Sequence, residues 1–149
     1  MDPSMALRMD GEWHVGDGPD DLDAFLEEIG AEGYDVHEIR HSACGQCGAG
    51  VFGVSGDPVE GTMRRTCRQC EAEHFVAGSG EYWSEDDVQV MVCVCEEEGF
   101  DVAVGYSLYP NGKGIRSLAT AERCVACGKI GSFTRWMVRG GEMELLDLA

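Results

Sequence analysis

Two kinds of periodicity organise this chain, and the shorter one dominates. A single helical stripe stands near the start: Leu22, Phe25, Leu26 and Ile29 recur at i, i+3, i+4 and i+7. Pro19 and the acids Asp20, Asp21 and Asp23 suit a first turn, and Gly30 suits a stop, so a helix is expected over about 19–30. Period-two patterning follows. Tyr34 to His41 reads as a strand. Gly50 to Ser55 and Thr62 to Thr66 read as a hairpin about a turn at 56–61, and Glu73 to Ala77 as a further strand. Residues 78–87 are polar and glycine-containing, and read as a linker carrying Tyr82 and Trp83. Val88 to Cys95 starts a second β-rich stretch. Phe100, Val102, Val104, Tyr106 and Leu108 alternate with smaller or polar residues, the sign of a half-buried strand. A turn at 110–114, a returning strand from Ile115 to Arg123 and another from Ile130 to Arg139 complete the pattern, with Met143 to Leu148 as a closing strand or docked tail. The fold class expected is mainly β with a short N-terminal helix, a small α+β protein.

The cysteines change this picture most. All eight fall in four close pairs: Cys44/Cys47, Cys67/Cys70, Cys93/Cys95 and Cys124/Cys127. Cys-x-x-Cys places two sulfurs on one tight turn, half of a tetrahedral metal site, and Cys93-Val-Cys95 is a tighter version. Gly48 and Gly128 directly follow two pairs, where the chain must turn back and bring N–H groups close to sulfur. A disulfide scaffold would call for a secretory leader, and the first eight residues have no apolar core of that kind. The longest apolar run, Val90 to Cys95, is six residues and far short of a membrane span. A reducing cytoplasmic setting with metal-bound thiolates is therefore expected. Joining consecutive pairs closes the shortest loops, so Cys44, Cys47, Cys67 and Cys70 should share one ion and Cys93, Cys95, Cys124 and Cys127 a second. Zinc is the expected occupant of both sites, with iron as the alternative.

Charge limits the partners. The formal balance is −17, from 28 acids and 11 bases, and it is uneven along the chain. Residues 1–40 hold 12 acids and two arginines, whereas residues 93–149 hold eight acids and six bases. Such a field repels a nucleic-acid backbone at long range and favours a basic protein partner. Arg116, Arg123, Lys129, Arg135 and Arg139 form the set through which nucleic acid would have to be met. Arg64, Arg65 and Arg68 surround the second cysteine pair, where their charge offsets that of the thiolates. His41 and His74 flank cysteine pairs and are expected outside the ligand sets.

The four pairs on β-hairpins, over about residues 41–139, resemble the zinc-ribbon superfamily, in which two knuckles clamp one ion. The resemblance implies two tandem zinc-ribbon-like β units. An acidic N-terminal segment (1–40) would precede a first ribbon (41–78), a linker (79–87) and a second ribbon (88–149) with a larger antiparallel sheet. The spacing Cys93-x-Cys95-x28-Cys124-x-x-Cys127 is also similar to the zinc centre of bacterial redox-regulated holdases, which implies a thiol and zinc redox sensor. No nucleophile–base set or phosphate loop is present: Glu96 to Glu98 reads as a solvated run, and Gly112-Lys113-Gly114 is too short. The expected function is that of a non-enzymatic interaction module or adaptor. The acidic helix and the Tyr82–Trp83 segment would supply its contact surfaces.

Overall fold

The computed structural model describes residues 8–149 other than 32 and 113, without the side chains of residues 8, 10, 81, 82 and 139–141. The expectations placed on the Tyr82 and Arg139 side chains and on Lys113 lie outside the described residues. The strands are β1 (Arg8–Asp10), β2 (Trp13–Val15), β3 (Glu38–His41), β4 (Phe52–Asp57), β5 (Thr62–Cys67), β6 (Glu73–Phe75), β7 (Gln89–Val90), β8 (Phe100–Leu108), β9 (Ile115–Cys124), β10 (Lys129–Gly131) and β11 (Arg135–Gly141). Among the described residues one α-helix, α1, spans Asp21–Ile29. The strands join in a single antiparallel sheet with the path β1-β2-β10-β9-β8-β4-β5-β6.

The middle of that path reads alike from either end. β4–β5–β6 and β8–β9–β10 are equivalent runs. In each, a buried phenylalanine opening one strand pairs with a buried cysteine closing the next: Phe52 with Cys67, and Phe100 with Cys124. The runs meet where Phe52 pairs with Phe100. Their leading strands are exchanged: β3, which enters the first cysteine pair, lies on β8, and β7, which enters the third, lies on β4. One apolar cluster accordingly runs through both halves, with Phe52, Val54 and Met63 packed together with Phe100, Val102, Val104, Tyr106 and Leu118. Neither sheet nor core is interrupted at the expected 79–87 linker. That stretch is folded instead as 3-10 helices at Val76–Tyr82 and Glu85–Asp87. The buried Ser79 hydroxyl both accepts from Met63 N–H and donates to Met63 carbonyl, which fastens the stretch to β5.

The central strand is buried on both faces, where its alternation predicted one. Phe100, Val102, Val104 and Tyr106 face the large cluster. The intervening Ala103 and Gly105 of β8, with Ala119 and Ala121 of β9, form a shallow trough that admits α1. Gly105 makes the approach possible, because a Cβ there would stand 3.1 Å from both Val36 methyls and 3.2 Å from Leu26. Leu22, Phe25 and Leu26 fill the trough, each contributing about 1.5–3 kcal/mol by burial. The helix lacks a side-chain cap from Asp20. Asp21 instead turns its carboxylate back to accept from the N–H groups of Asp17 (2.7 Å) and Gly18 (3.2 Å).

Two further departures from the sequence reading have local causes, and the C-terminal stretch takes one of its two expected forms. The strand expected over Ile130 to Arg139 is two strands, because residues 132–134 break away and let β10 and β11 pair with different parts of β9. The N-terminal hairpin β1–β2 was not anticipated; it extends the sheet through β2 on β10. The C-terminal stretch is a docked tail with a 3-10 helix at Met143–Leu148. It is held by Tyr106 Oη donating to Leu145 carbonyl (3.0 Å), by His74 Nε2 at 2.9 Å from Leu148 carbonyl, and by Arg65 Nε donating to Ala149 O (3.1 Å).

Glu122 is the one fully buried carboxyl in the described core. Burial pushes its pKa up from 4.5 to about 8, against the Phe133 N–H (2.6 Å) and the Thr120 hydroxyl, which favour ionisation. Its second oxygen is buried with no partner. Because the folded pKa lies above the unfolded one, this group's contribution is lost as pH rises from 4.5 through about 8. In metal-loaded protein, the stability of wild type relative to Glu122→Gln should therefore fall between pH 6 and 8, by up to about 1.4 kcal/mol per pH unit, in urea unfolding.

Candidate metal centres

Each cysteine pair sits where a strand ends, so the sheet itself delivers the sulfurs. Cys44 and Cys47 occupy the turn from β3 to β4, while Cys67 closes β5 and Cys70 follows in the turn to β6. Cys93 and Cys95 lie between β7 and β8; Cys124 closes β9, and Cys127 precedes β10. The knuckles share a backbone pattern. Gly48 N–H returns to Cys44 carbonyl, Glu71 to Cys67 and Gly128 to Cys124, each at 2.9 Å, and Glu96 returns to Cys93 at 2.7 Å. The returning residue has positive φ in all four: 77° at Gly48, 66° at Glu71, 78° at Glu96 and 81° at Gly128. Glycine was legible at two of these positions. At the other two a glutamate adopts the same left-handed conformation, at a cost on the order of 1 kcal/mol.

The sulfurs gather in two groups of four: Cys44, Cys47, Cys67 and Cys70, and Cys93, Cys95, Cys124 and Cys127. Within each group the Sγ atoms all lie within 4.8 Å of one another. The shortest separations are 3.5 Å, for Cys44–Cys70, Cys47–Cys67, Cys93–Cys127 and Cys95–Cys124. A disulfide needs about 2.05 Å. A tetrahedral ion with sulfur ligands at about 2.3 Å sets its sulfurs about 3.8 Å apart, so both groups are of the right size to hold one ion each. Consecutive pairs are the ones brought together.

Electrostatics favour occupancy. In the first group, the backbone N–H groups of Cys47 and Gln46 draw Cys44 down to about 6. Cys70 is held up at about 12: the Ala72 N–H lowers it, but contact with Cys44, desolvation and contact with Cys47 and Cys67 outweigh that. In the second group, the Glu97 N–H brings Cys95 to about 7, while burial and then contact with the neighbouring thiols raise Cys93 to about 12. Four sulfurs this close cannot all ionise unaided. A divalent cation removes the conflict and releases the remaining protons.

Arg65 is the cation placed beside the first group. It is 6% exposed, stacks over Phe52 at 4.6 Å and donates to Ala43 carbonyl at 3.2 Å as well as to Ala149. Burial lowers its pKa and the charges of Cys44 and Cys67 raise it again, which is the compensation expected of this arginine. Arg64 turns away to Glu73 (2.9 Å) and over the Trp83 ring (4.5 Å), and Arg68 is exposed. The histidines lie outside both groups: His14 pairs with Glu28, His41 with Asp23, His74 with Leu148 carbonyl, and His37 Nδ1 accepts from Leu108 N–H.

Comparison with family models, curated proteins and solved structures returned no match for this chain.

Two outcomes follow from the geometry. Elemental analysis should give two equivalents of ion per chain, and stripping them with a chelator should abolish the cooperative thermal transition, since such sites contribute about 10–16 kcal/mol. The left-handed position also separates its occupants. Glu71→Gly and Glu96→Gly should raise stability by up to about 1 kcal/mol. Gly128→Ala should lower it and weaken the second site, since its Cβ would meet Gly16 carbonyl at 2.6 Å. Denaturation with a chelator-competition assay reads both effects.

Proposed function

We propose that this chain is a non-enzymatic zinc protein whose two four-cysteine sites hold a sheet rigid as a binding module, or adaptor, for a basic protein partner. The observation that carries this reading is the ligand sets themselves. Each group supplies four cysteines to one position, which satisfies a tetrahedral ion and leaves no place for the water or substrate that a catalytic zinc needs. Zinc is favoured over iron by its preference for closed thiolate sites in small modules.

Basic partners are favoured by the acidic balance of −17 and by where acids are displayed. Glu27 and Glu28 are exposed on α1, and Asp57, Glu60, Asp86 and Asp87 line a shallow open cleft with Val59, Val88 and Gln89. Two of the C-terminal cations are engaged within the chain. Arg123 is engaged by Asp101 (2.8 Å) and Gly16 carbonyl (2.9 Å), and Arg116 lies 4.3 Å over the Tyr34 ring and 5.3 Å over Tyr109. Trp83 is equally committed within the chain, edge-on to Phe75 at 5.2 Å, beneath Arg64, and donating to Glu85 at 2.6 Å. It therefore serves as a staple within the chain. Among the described residues, no helix is long and apolar enough to cross a membrane.

Immobilised zinc-loaded chain should retain a lysine- or arginine-rich protein at moderate ionic strength and release it as salt rises. The chelated chain should lose it. Retention of no basic protein, or of nucleic acid alone, would count against the module reading.

A further inference from the structure

The apolar run singled out in the sequence ends up largely outside. Met91 and Cys93 pack against the large cluster, while Val90, Val92 and Val94 are 58%, 51% and 61% exposed. The alternation sets Val90 and Val92 on the outer side of one extended segment, and Val94 follows them in the knuckle turn between Cys93 and Cys95. Isolated exposed valines are ordinary in proteins; three within five residues form a patch. The opposite knuckle of the same metal site adds Val125, 38% exposed, between Cys124 and Cys127. The first site differs, since Gly45 and Gln46, and Arg68 and Gln69, stand between its ligands.

The backbone of this segment is also half used. β7 pairs with β4 alone, through Ser55↔Val90 and Gly56↔Gln89, and Met91 N–H donates to Val54 carbonyl. In an antiparallel ladder the N–H and C=O groups alternate between edges, so those of Val90 and Val92 point away from β4. Among the described residues no strand lies on that second edge. Acids frame the patch at both ends: Glu85, Asp86 and Asp87 are exposed before it, and Glu96 and Glu98 are exposed after it. The open acidic cleft lies at the leading end, where Val88 and Gln89 form part of its wall.

We propose that the valine patch Val90–Val92–Val94 and the free edge of β7 form the docking surface for an extended segment of the partner, apolar at alternate positions and basic at both ends. This assignment rests on the module reading and names the surface and the segment it takes. Backbone hydrogen bonds would add the segment to β7, the valines would cover its apolar side chains, and the flanking acids would set register by charge. A second copy of this chain is the wrong occupant. It would bring acidic flanks of like charge together in a protein already at −17.

The test titrates isotopically labelled, zinc-loaded full chain with the synthetic peptide Lys-Arg-Val-Thr-Val-Thr-Val-Arg-Lys and with its glutamate-ended counterpart. Amide shifts should centre on residues 85–98 for the basic peptide and be absent for the acidic one. Val90→Ser combined with Val92→Ser should weaken binding roughly tenfold while metal content and the remaining spectrum stay unchanged. Shifts centred elsewhere, indifference to the double substitution, or no binding would overturn the proposal. A concentration-dependent dimer in sedimentation, abolished by the same substitutions, would overturn it in favour of self-association. If a basic protein is retained equally by wild type and the double variant, the patch is wrong and the module reading stands. If neither peptide nor basic protein binds, both fail.

Discussion

Four sulfur atoms held within 4.8 Å of one another can all ionise only around a cation, and two such groups terminate strands of this molecule. The thiol pKa values, spread from about 6 to about 12 within the first group, express that frustration: some sulfurs ionise early and the crowding holds others protonated. Metal turns mutual repulsion into shared coordination. A protein of 149 residues with one large apolar cluster would otherwise rest on a modest core.

The exchanged leading strands make this constraint collective. β3 delivers the first cysteine pair yet lies on β8, and β7 delivers the third pair yet lies on β4. Misplacing either site therefore disturbs the strand that begins the other half. The Phe52–Phe100 pairing and Arg65 tighten the link. Arg65 touches Phe52 at the junction, neighbours the first sulfur group and reaches the C-terminal tail at Ala149. The halves thus share a sheet, a core and a cation, and independent unfolding of one half would break all three.

What could be read in the sequence was local chemistry. Cys-x-x-Cys spacing identifies paired ligands, and loop-closure entropy correctly joins consecutive pairs. The stripe Leu22, Phe25 and Leu26 marks a helix within one residue or two of its bounds. What escaped was non-local. Nothing around Ser79 announces that its hydroxyl will bridge Met63, so a packed segment looked like a linker. Alternation in β8 correctly gave a strand, but the trough at Ala103 and Gly105 became visible only once Ala119 and Ala121 were aligned beside it. Nor does left-handed backbone at Glu71 and Glu96 leave a trace, because glutamate carries no preference for it.

The two candidate metal sites also differ at the surface. Both are closed coordination sets, so their chemistry is the same, yet the residues between the ligands differ: Gly-Gln and Arg-Gln at the first, Val and Val-Ala at the second. A knuckle is among the most rigid ways to present a short side chain to solvent, since its backbone is fixed by returning N–H groups and, with an ion bound, would be fixed by sulfur–metal bonds as well. Valine held there loses little further freedom when covered, so contact costs less entropy than it would on a mobile loop. Polar tips at the first site gain nothing from the same rigidity. On the proposed reading, the first centre would serve structural support and the second presentation, which would account for apolar side chains on the surface of so acidic a chain.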